Sequence, residues 1–230
     1  GEAGREESAD GERGNGRRGS EGEQGSDEWR MARRGKVGAS MVADATARTK
    51  AGWGASRANL AARLVAERLT GTLTETYTNA AMQWGTDTEP AARETYAFVH
   101  GVEVQQVGLV LHPTIDHAVA SPDGLVGELG LLEIKCPMTA THIETLLGDR
   151  PDSRYVKQMQ WQMACTGRHW CDFASFDPRM PGEMQLVVRR RDRDAEMIAD
   201  LEQQIREFLI EVDATVSTLI KRYRQPMAAE

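Results

Sequence analysis

Along this chain the hydrophobic period switches between helical and extended in an order few folds accommodate. From Ser56 to Leu69 the apolar residues Leu60, Leu64, Val65 and Leu69 recur at helical spacing, with Ser56 as the expected cap and Gly71 as the stop. A second helix is predicted over Thr78–Trp84. A third is predicted from Asp87 and Thr88 to His100, with Pro90 in its first turn and Gly101 ending it. The pattern then turns extended over Val102–Leu111, His117–Val126 and Leu131–Cys136. It is helical again over Ser153–Thr166, extended over His169–Phe176 and Met184–Arg190, and helical over Asp192–Tyr223. Helix, three strands, helix, strand predicts an α/β fold, a central mixed sheet flanked by helices. The last helix carries Met197, Leu201, Ile205, Phe208, Leu209, Val212, Val216 and Leu219 on one stripe, which suits core packing better than a partner surface.

Charge divides the chain unevenly. Residues 1–28 hold eight of the 22 glycines, nine acids and four arginines, with Ala3 and Ala9 as the sole hydrophobic residues. Such a segment cannot bury enough surface to offset its ordering entropy, so a disordered acidic tail is expected over 1–28 and a single folded domain over 29–230. Most of the formal charge of −7 sits in that tail. The remainder is close to neutral but contains one basic stretch, with Arg30, Arg33, Arg34, Lys36, Arg48, Lys50, Arg57, Arg63 and Arg68 against Asp44 and Glu67. That stretch suits either a phosphate-binding surface or an ordinary solvated helix face. Cys136, Cys165 and Cys171 are odd in number and lack a CxxC pair, which argues against a disulfide framework, a zinc knuckle or an iron–sulfur site. No run approaches the roughly 20 apolar residues a membrane span requires, and no secretory signal is visible, so a cytoplasmic protein is expected.

The most informative residues are Ser121-Pro122-Asp123-Gly124-Leu125 and Leu132-Glu133-Ile134-Lys135-Cys136-Pro137. Side chains alternate along a strand, so Glu133 and Lys135 share one face while Ile134 points into the core. A turn that folds Asp123 back beside them gives two carboxylates and an ammonium at one sheet edge. Magnesium takes hard oxygen ligands, and Asp123, Glu133 and the Ile134 carbonyl supply such oxygens. An Asp followed by Glu-x-Lys is also compatible with a plain surface ion pair. Glu89 reads equally as a further metal ligand or as a residue placed at a helix start by the helix dipole. Gln158 and Gln160 lie on the following helix beside Tyr155 and Trp161.

Taken together, these motifs resemble the phage lambda exonuclease group of recombination nucleases, a branch of the PD-(D/E)XK superfamily. The resemblance runs from Gln24-Gly25-Ser26-Asp27-Glu28-Trp29, Arg33 and Gly38-Ala39-Ser40 through Trp84-Gly85-Thr86-Asp87-Thr88-Glu89 and Arg93. It continues in the Asp123 and Glu133 motifs, in Tyr155-Val156-Lys157-Gln158-Met159-Gln160, and in Phe176-Asp177-Pro178-Arg179-Met180. It implies a restriction-endonuclease-like core and a hydrolase that degrades linear double-stranded DNA 5′ to 3′ from phosphorylated ends. The products implied are mononucleotides and a 3′ single strand for recombination.

By the same resemblance, Lys135, Glu133, Asp123 and Glu89 are catalytic, and Asp123, Glu133, Ile134 and Glu89 hold two Mg2+ ions that Mn2+ can replace. Arg33, Ser40, Ser121 and Gln158 form a pocket for the 5′ phosphate, and Met82 is a wedge at the terminal base pair, although a salt bridge for Arg33, turn caps for the serines, a core-edge amide for Gln158 and core packing for Met82 are the alternative roles. A homotrimer and a single-strand annealing partner are implied as well. The acidic tail and the 48–53 loop depart from the family's pattern. An endonuclease on the same scaffold, or a non-catalytic DNA-binding protein, are the alternative readings.

Overall fold

The computed structural model describes residues 24–74, 78–148 and 151–224. The tail expected over 1–28 falls outside it except at its end. There, order begins earlier than the composition suggests: helix α1 spans Asp27–Ala32, and the Ser26 side chain caps it by accepting from Trp29 N at 3.2 Å. A 3-10 turn at Ala39–Met41, helix α2 (Val42–Ala45) and a small hairpin of β1 (Arg48–Thr49) and β2 (Gly52–Trp53) lead into helix α3, Ala55–Thr70. The cap of α3 is Gly54 rather than the expected Ser56, which lies inside the helix, and Gly71 closes it in the left-handed conformation at φ 71°.

The two helices expected over Thr78–Trp84 and Asp87–His100 are one continuous helix α4, Ala80–His100, started by the Asn79 side chain accepting from Met82 N at 2.9 Å. Pro90 lies in its interior. It forfeits a single backbone bond to the Thr86 carbonyl, while Ala92 and Tyr96, both buried, hold the helix against the sheet. Glu89 therefore sits mid-helix, and the reading that placed it at a helix start is incorrect.

The long strands expected over Val102–Leu111 and His117–Val126 are each broken. They contain β3 (Val104–Gln105), β4 (Val110–Leu111), β5 (Val119–Ala120) and β6 (Gly124–Val126), of which β4 and β5 form a separate pair. Pro122 has no N–H for a ladder, which divides β5 from β6 and leaves Asp123 in the gap. Strand β7 (Gly130–Lys135) follows as expected, then helix α5 (Thr139–Leu147), which the sequence did not suggest. Helix α6 (Ser153–Thr166), strand β8 (Trp170–Phe176), a 3-10 turn at Gly182–Met184, strand β9 (Leu186–Asp192) and helix α7 (Ala195–Tyr223) complete the chain.

The central sheet has the order β3-β6-β7-β8-β9. Its β7–β8 pair is parallel and its other pairs are antiparallel, so the sheet is mixed. The alternation along β7 sorts the two faces. Leu132 and Ile134 pack with Ala92 and Tyr96 of α4, whereas Leu131 packs with Met159 and Met163 of α6. Glu133 and Lys135 consequently face α6. Behind α6, Trp161 joins Leu60 and Leu64 of α3 and Leu201, Ile205 and Phe208 of α7 in a further core. The apolar stripe of α7 is buried there, as its spacing predicts.

Candidate active site

Burial of charge defines the site. Asp123 and Glu133 are buried carboxylates, the latter only 1% exposed. Ile134 N donates to Asp123 Oδ2 at 2.6 Å, so the residue in the gap between β5 and β6 is fastened to the C-terminal end of β7. Glu133 Oε1 accepts from Gln158 Nε2 at 2.6 Å and pairs with Lys135 Nζ, while its Oε2 accepts from Gln162 Nε2 at 2.6 Å. Lys135 Nζ also lies 5.3 Å from the centre of the Tyr155 ring.

Electrostatics follow from this packing. Burial pushes the Asp123 carboxyl well above the usual carboxylate range, and the neighbouring Glu133 and Glu89 charges push it the same way against the pull of Lys135. Burial acts to lower the Lys135 ammonium, but Glu133 and Asp123 more than offset it, so the lysine stays protonated. The Cys136 thiol, pushed up to about 12 by burial and by Glu89 and Asp123, is no nucleophile at neutral pH.

A cavity of about 140 Å³ opens onto this cluster, lined by Asp123, Glu133 and Lys135 and also by Arg33, Ser40, Ser121 and Gln158. The structure thus gathers around one space residues lying more than a hundred positions apart in sequence. Arg33 is placed by α1, where its guanidinium stacks 4.3 Å over the Trp29 ring, and Trp29 Nε1 donates to Ser121 Oγ at 2.9 Å. Gly38 leaves it room, since a methyl there would lie 3.2 Å from Arg33 Nη2. No guanidinium nitrogen of Arg33 has a hydrogen-bond or ion-pair partner among the described residues. Burial and the nearby Arg63 lower its pKa, with Glu67 opposing. An unpartnered, partly buried guanidinium beside two hydroxyls is a seat for an anion.

Other expected residues lie around this space. Met82 is half exposed and lines a second, larger cavity of about 1070 Å³ that shares Trp29, Arg33 and Ser40 with the first. Glu89 is ion-paired with Arg93, whose Nε donates to the Asp123 carbonyl at 3.1 Å. Among the described residues no three acidic, histidine or cysteine side chains converge on one point. Glu89 therefore stands beside the Asp123–Glu133 pair, held by Arg93. Gln158 is engaged by Glu133 as well as lining the cavity. The basic stretch is largely consumed internally: Arg57 pairs with Glu211, Arg68 with Asp213, and Arg34 donates to the Gly71 carbonyl. The residue that sequence reasoning missed is Gln162, which sits one helical turn beyond Gln158 and looks there like a solvated polar side chain.

Comparison with known proteins places this arrangement. Residues 28–169 match the YqaJ-like viral recombinase domain. The chain belongs to the YqaJ-like viral recombinase family. No curated protein sequence matches it. Among solved structures it is similar to an alkaline exonuclease, LHK-Exo, from Laribacter hongkongensis, at 51% identity and a TM-score of 0.80, covering 86% of this chain and 97% of that one. A structure of LHK-Exo in complex with dAMP matches at a TM-score of 0.81 with the same identity and coverage. A phage related exonuclease from Haemophilus somnus 129PT shares the fold at 15% identity and a TM-score of 0.64, covering 80% of this chain and 96% of that one. The matched family spans most of the residues on which the sequence resemblance rests. Among the described residues no helix is long and apolar enough to cross a membrane.

Proposed function

We propose that this chain is a divalent-metal-dependent nuclease that degrades linear duplex DNA 5′ to 3′ from phosphorylated ends, releasing mononucleotides and leaving a 3′ strand for phage-type recombination. The observation that carries this reading is the single cavity in which the unpartnered Arg33, with Ser40 and Ser121, faces Asp123, Glu133 and Lys135. A terminal phosphate held by the first group sets the adjoining phosphodiester against the second. The similar LHK-Exo bears the name alkaline exonuclease, and its complex with dAMP holds a nucleoside monophosphate, the product class expected here.

The donor set fits a hard divalent cation, because Asp123 and Glu133 are acidic oxygens buried together and their mutual repulsion is what a cation would relieve. Asp123, Glu133 and the Ile134 carbonyl would hold Mg2+, with Mn2+ as a substitute, and Glu89 would join a second ion on leaving Arg93. Bound there, the metal supplies an acidified water and a Lewis acid for the phosphate. Lys135, kept protonated by its carboxylate neighbours, donates to the charge growing on the phosphorus oxygens. Arg33, Ser40 and Ser121 orient the end of the strand, Gln158 bridges their pocket to Glu133, and Met82 borders the path of the terminal base pair. A homotrimer around the duplex and a single-strand annealing partner complete the proposal.

A supercoiled plasmid and its linearised form, incubated with Mg2+, separate this reading from an endonuclease. The linear form should be consumed and the closed circle left intact. Cutting of closed circles would replace the exonuclease with an endonuclease, and inertness toward both would support a DNA-binding protein without catalysis.

A further inference from the structure

Gln162 has no place in the sequence motifs, yet the structure sets it against the most buried charge in the site. It is fully buried, lies on the α6 face that meets the sheet, and does not line the catalytic cavity. Its amide Nε2 donates to Glu133 Oε2 at 2.6 Å, while Gln158, one turn earlier, donates to Oε1 at the same distance. Two glutamines four residues apart therefore grip the two oxygens of one carboxylate, which i and i+4 positions on a helix make possible. The amide's orientation is settled chemically. A carboxylate accepts only, so the nitrogen must face Glu133, and the opposite end, Oε1, accepts from the Cys171 thiol at 3.8 Å.

The two grips differ in kind. Gln158 and Lys135 both line the cavity, and both contact the same Glu133 oxygen, Oε1. Gln162 works from the protein interior on the other oxygen. A carboxylate held at one oxygen only can rotate about its last bond. Held from behind as well, it presents its plane in one orientation.

We propose that Gln162 is a positioning residue that fixes the Glu133 carboxylate for a divalent cation. The inference rests on the nuclease reading above, in which Glu133 is a ligand. It acts through Glu133 and touches no substrate. Gln160 supplies a matched control on the same helix, since it too is buried and makes two bonds, Nε2 to the Asp192 carbonyl at 2.8 Å and Oε1 from Asp194 N at 2.9 Å, away from the site.

The test is titration of the metal-free protein with Mn2+ by calorimetry, alongside thermal unfolding and digestion of a linear duplex. Gln162→Met, which keeps the side chain's length but not its donor, should weaken Mn2+ binding and digestion by about 10- to 100-fold. Gln160→Met should lower the unfolding temperature while leaving Mn2+ affinity within about twofold of the parent, a change too small to reflect a lost ligand-orienting contact. The inference is overturned if Gln162→Met melts earlier but binds Mn2+ as the parent does. Gln162→Asn, whose donor is drawn back by one methylene, is read by the same rule if Gln162→Met does not fold. A parent chain that takes up no Mn2+ would instead remove the metal-dependent reading on which the inference stands.

Discussion

Arg33→Ala should separate function from stability. In the structure its guanidinium has only the Trp29 ring beneath it, 4.3 Å away, while burial and Arg63 both disfavour its charge. Such a stacking contact contributes about 0.5–1 kcal/mol, so unfolding free energy should fall by no more than about 1 kcal/mol. Binding behaves differently. A charge-assisted hydrogen bond to a terminal phosphate is worth about 1.5–3 kcal/mol, so losing one costs roughly 10- to 100-fold. The assay compares kcat/KM on linear duplexes carrying 5′-phosphate or 5′-hydroxyl ends, with denaturant unfolding in parallel. The parent should prefer the phosphate and Arg33→Ala should narrow that preference by the stated factor. An unchanged preference, or a loss of several kcal/mol of stability, would show that Arg33 is a structural residue and refute the pocket.

Further outcomes follow from the same geometry. Met82 is half exposed and buries little, so Met82→Ala should change stability by less than about 0.5 kcal/mol. It should slow digestion of paired ends more than of ends frayed by mismatched terminal bases, and equal slowing on both would remove Met82 from strand separation. Asp177 is buried, which acts to raise its carboxyl, but bonds from the Arg179 side chain, Thr139 and Arg179 N hold it down at about 2. Because the folded value lies below the ordinary 3.8, its stabilisation is complete above about pH 4 and is lost as pH falls toward 2. The stability gap between parent and Asp177→Asn should therefore close over that interval in thermal unfolding, and a gap independent of pH would contradict the assignment.

What the sequence made legible was local. The alternation in Leu131–Lys135 and the helical stripes of α6 and α7 are periodic, and each forms close to where its pattern places it. Elements whose support comes from distant residues were not visible. Helix α4 looked like two pieces because Gly85 and Pro90 act as local breaks, yet packing of Ala92 and Tyr96 on the sheet carries it through. Helix α5 is short and leaves its apolar Ile143 and Leu147 exposed, and it is fastened instead by the buried His142, whose ring contacts Ser175 Oγ and the Met184 carbonyl, both at 2.8 Å. The basic stretch advertised more cation than the site uses, because Glu211 and Asp213 on α7 claim Arg57 and Arg68 across about 150 residues. Gln162 was invisible for the same reason. Nothing near it in sequence shows that it is enclosed beside Glu133.

In the proposed reaction, hydrolysis of the phosphodiester held in the shared cavity falls to Asp123, Glu133 and Lys135. Its most direct measurement is single-turnover digestion of an end-labelled linear duplex by the parent and by Lys135→Ala, with and without Mg2+, alongside DNA binding. The parent should release mononucleotides only with Mg2+. Lys135→Ala should bind DNA comparably yet lose at least about 100-fold in rate, as expected when a donor acting on the transition state is removed. Digestion by Lys135→Ala at the parental rate, or digestion by the parent without a divalent cation, would contradict it.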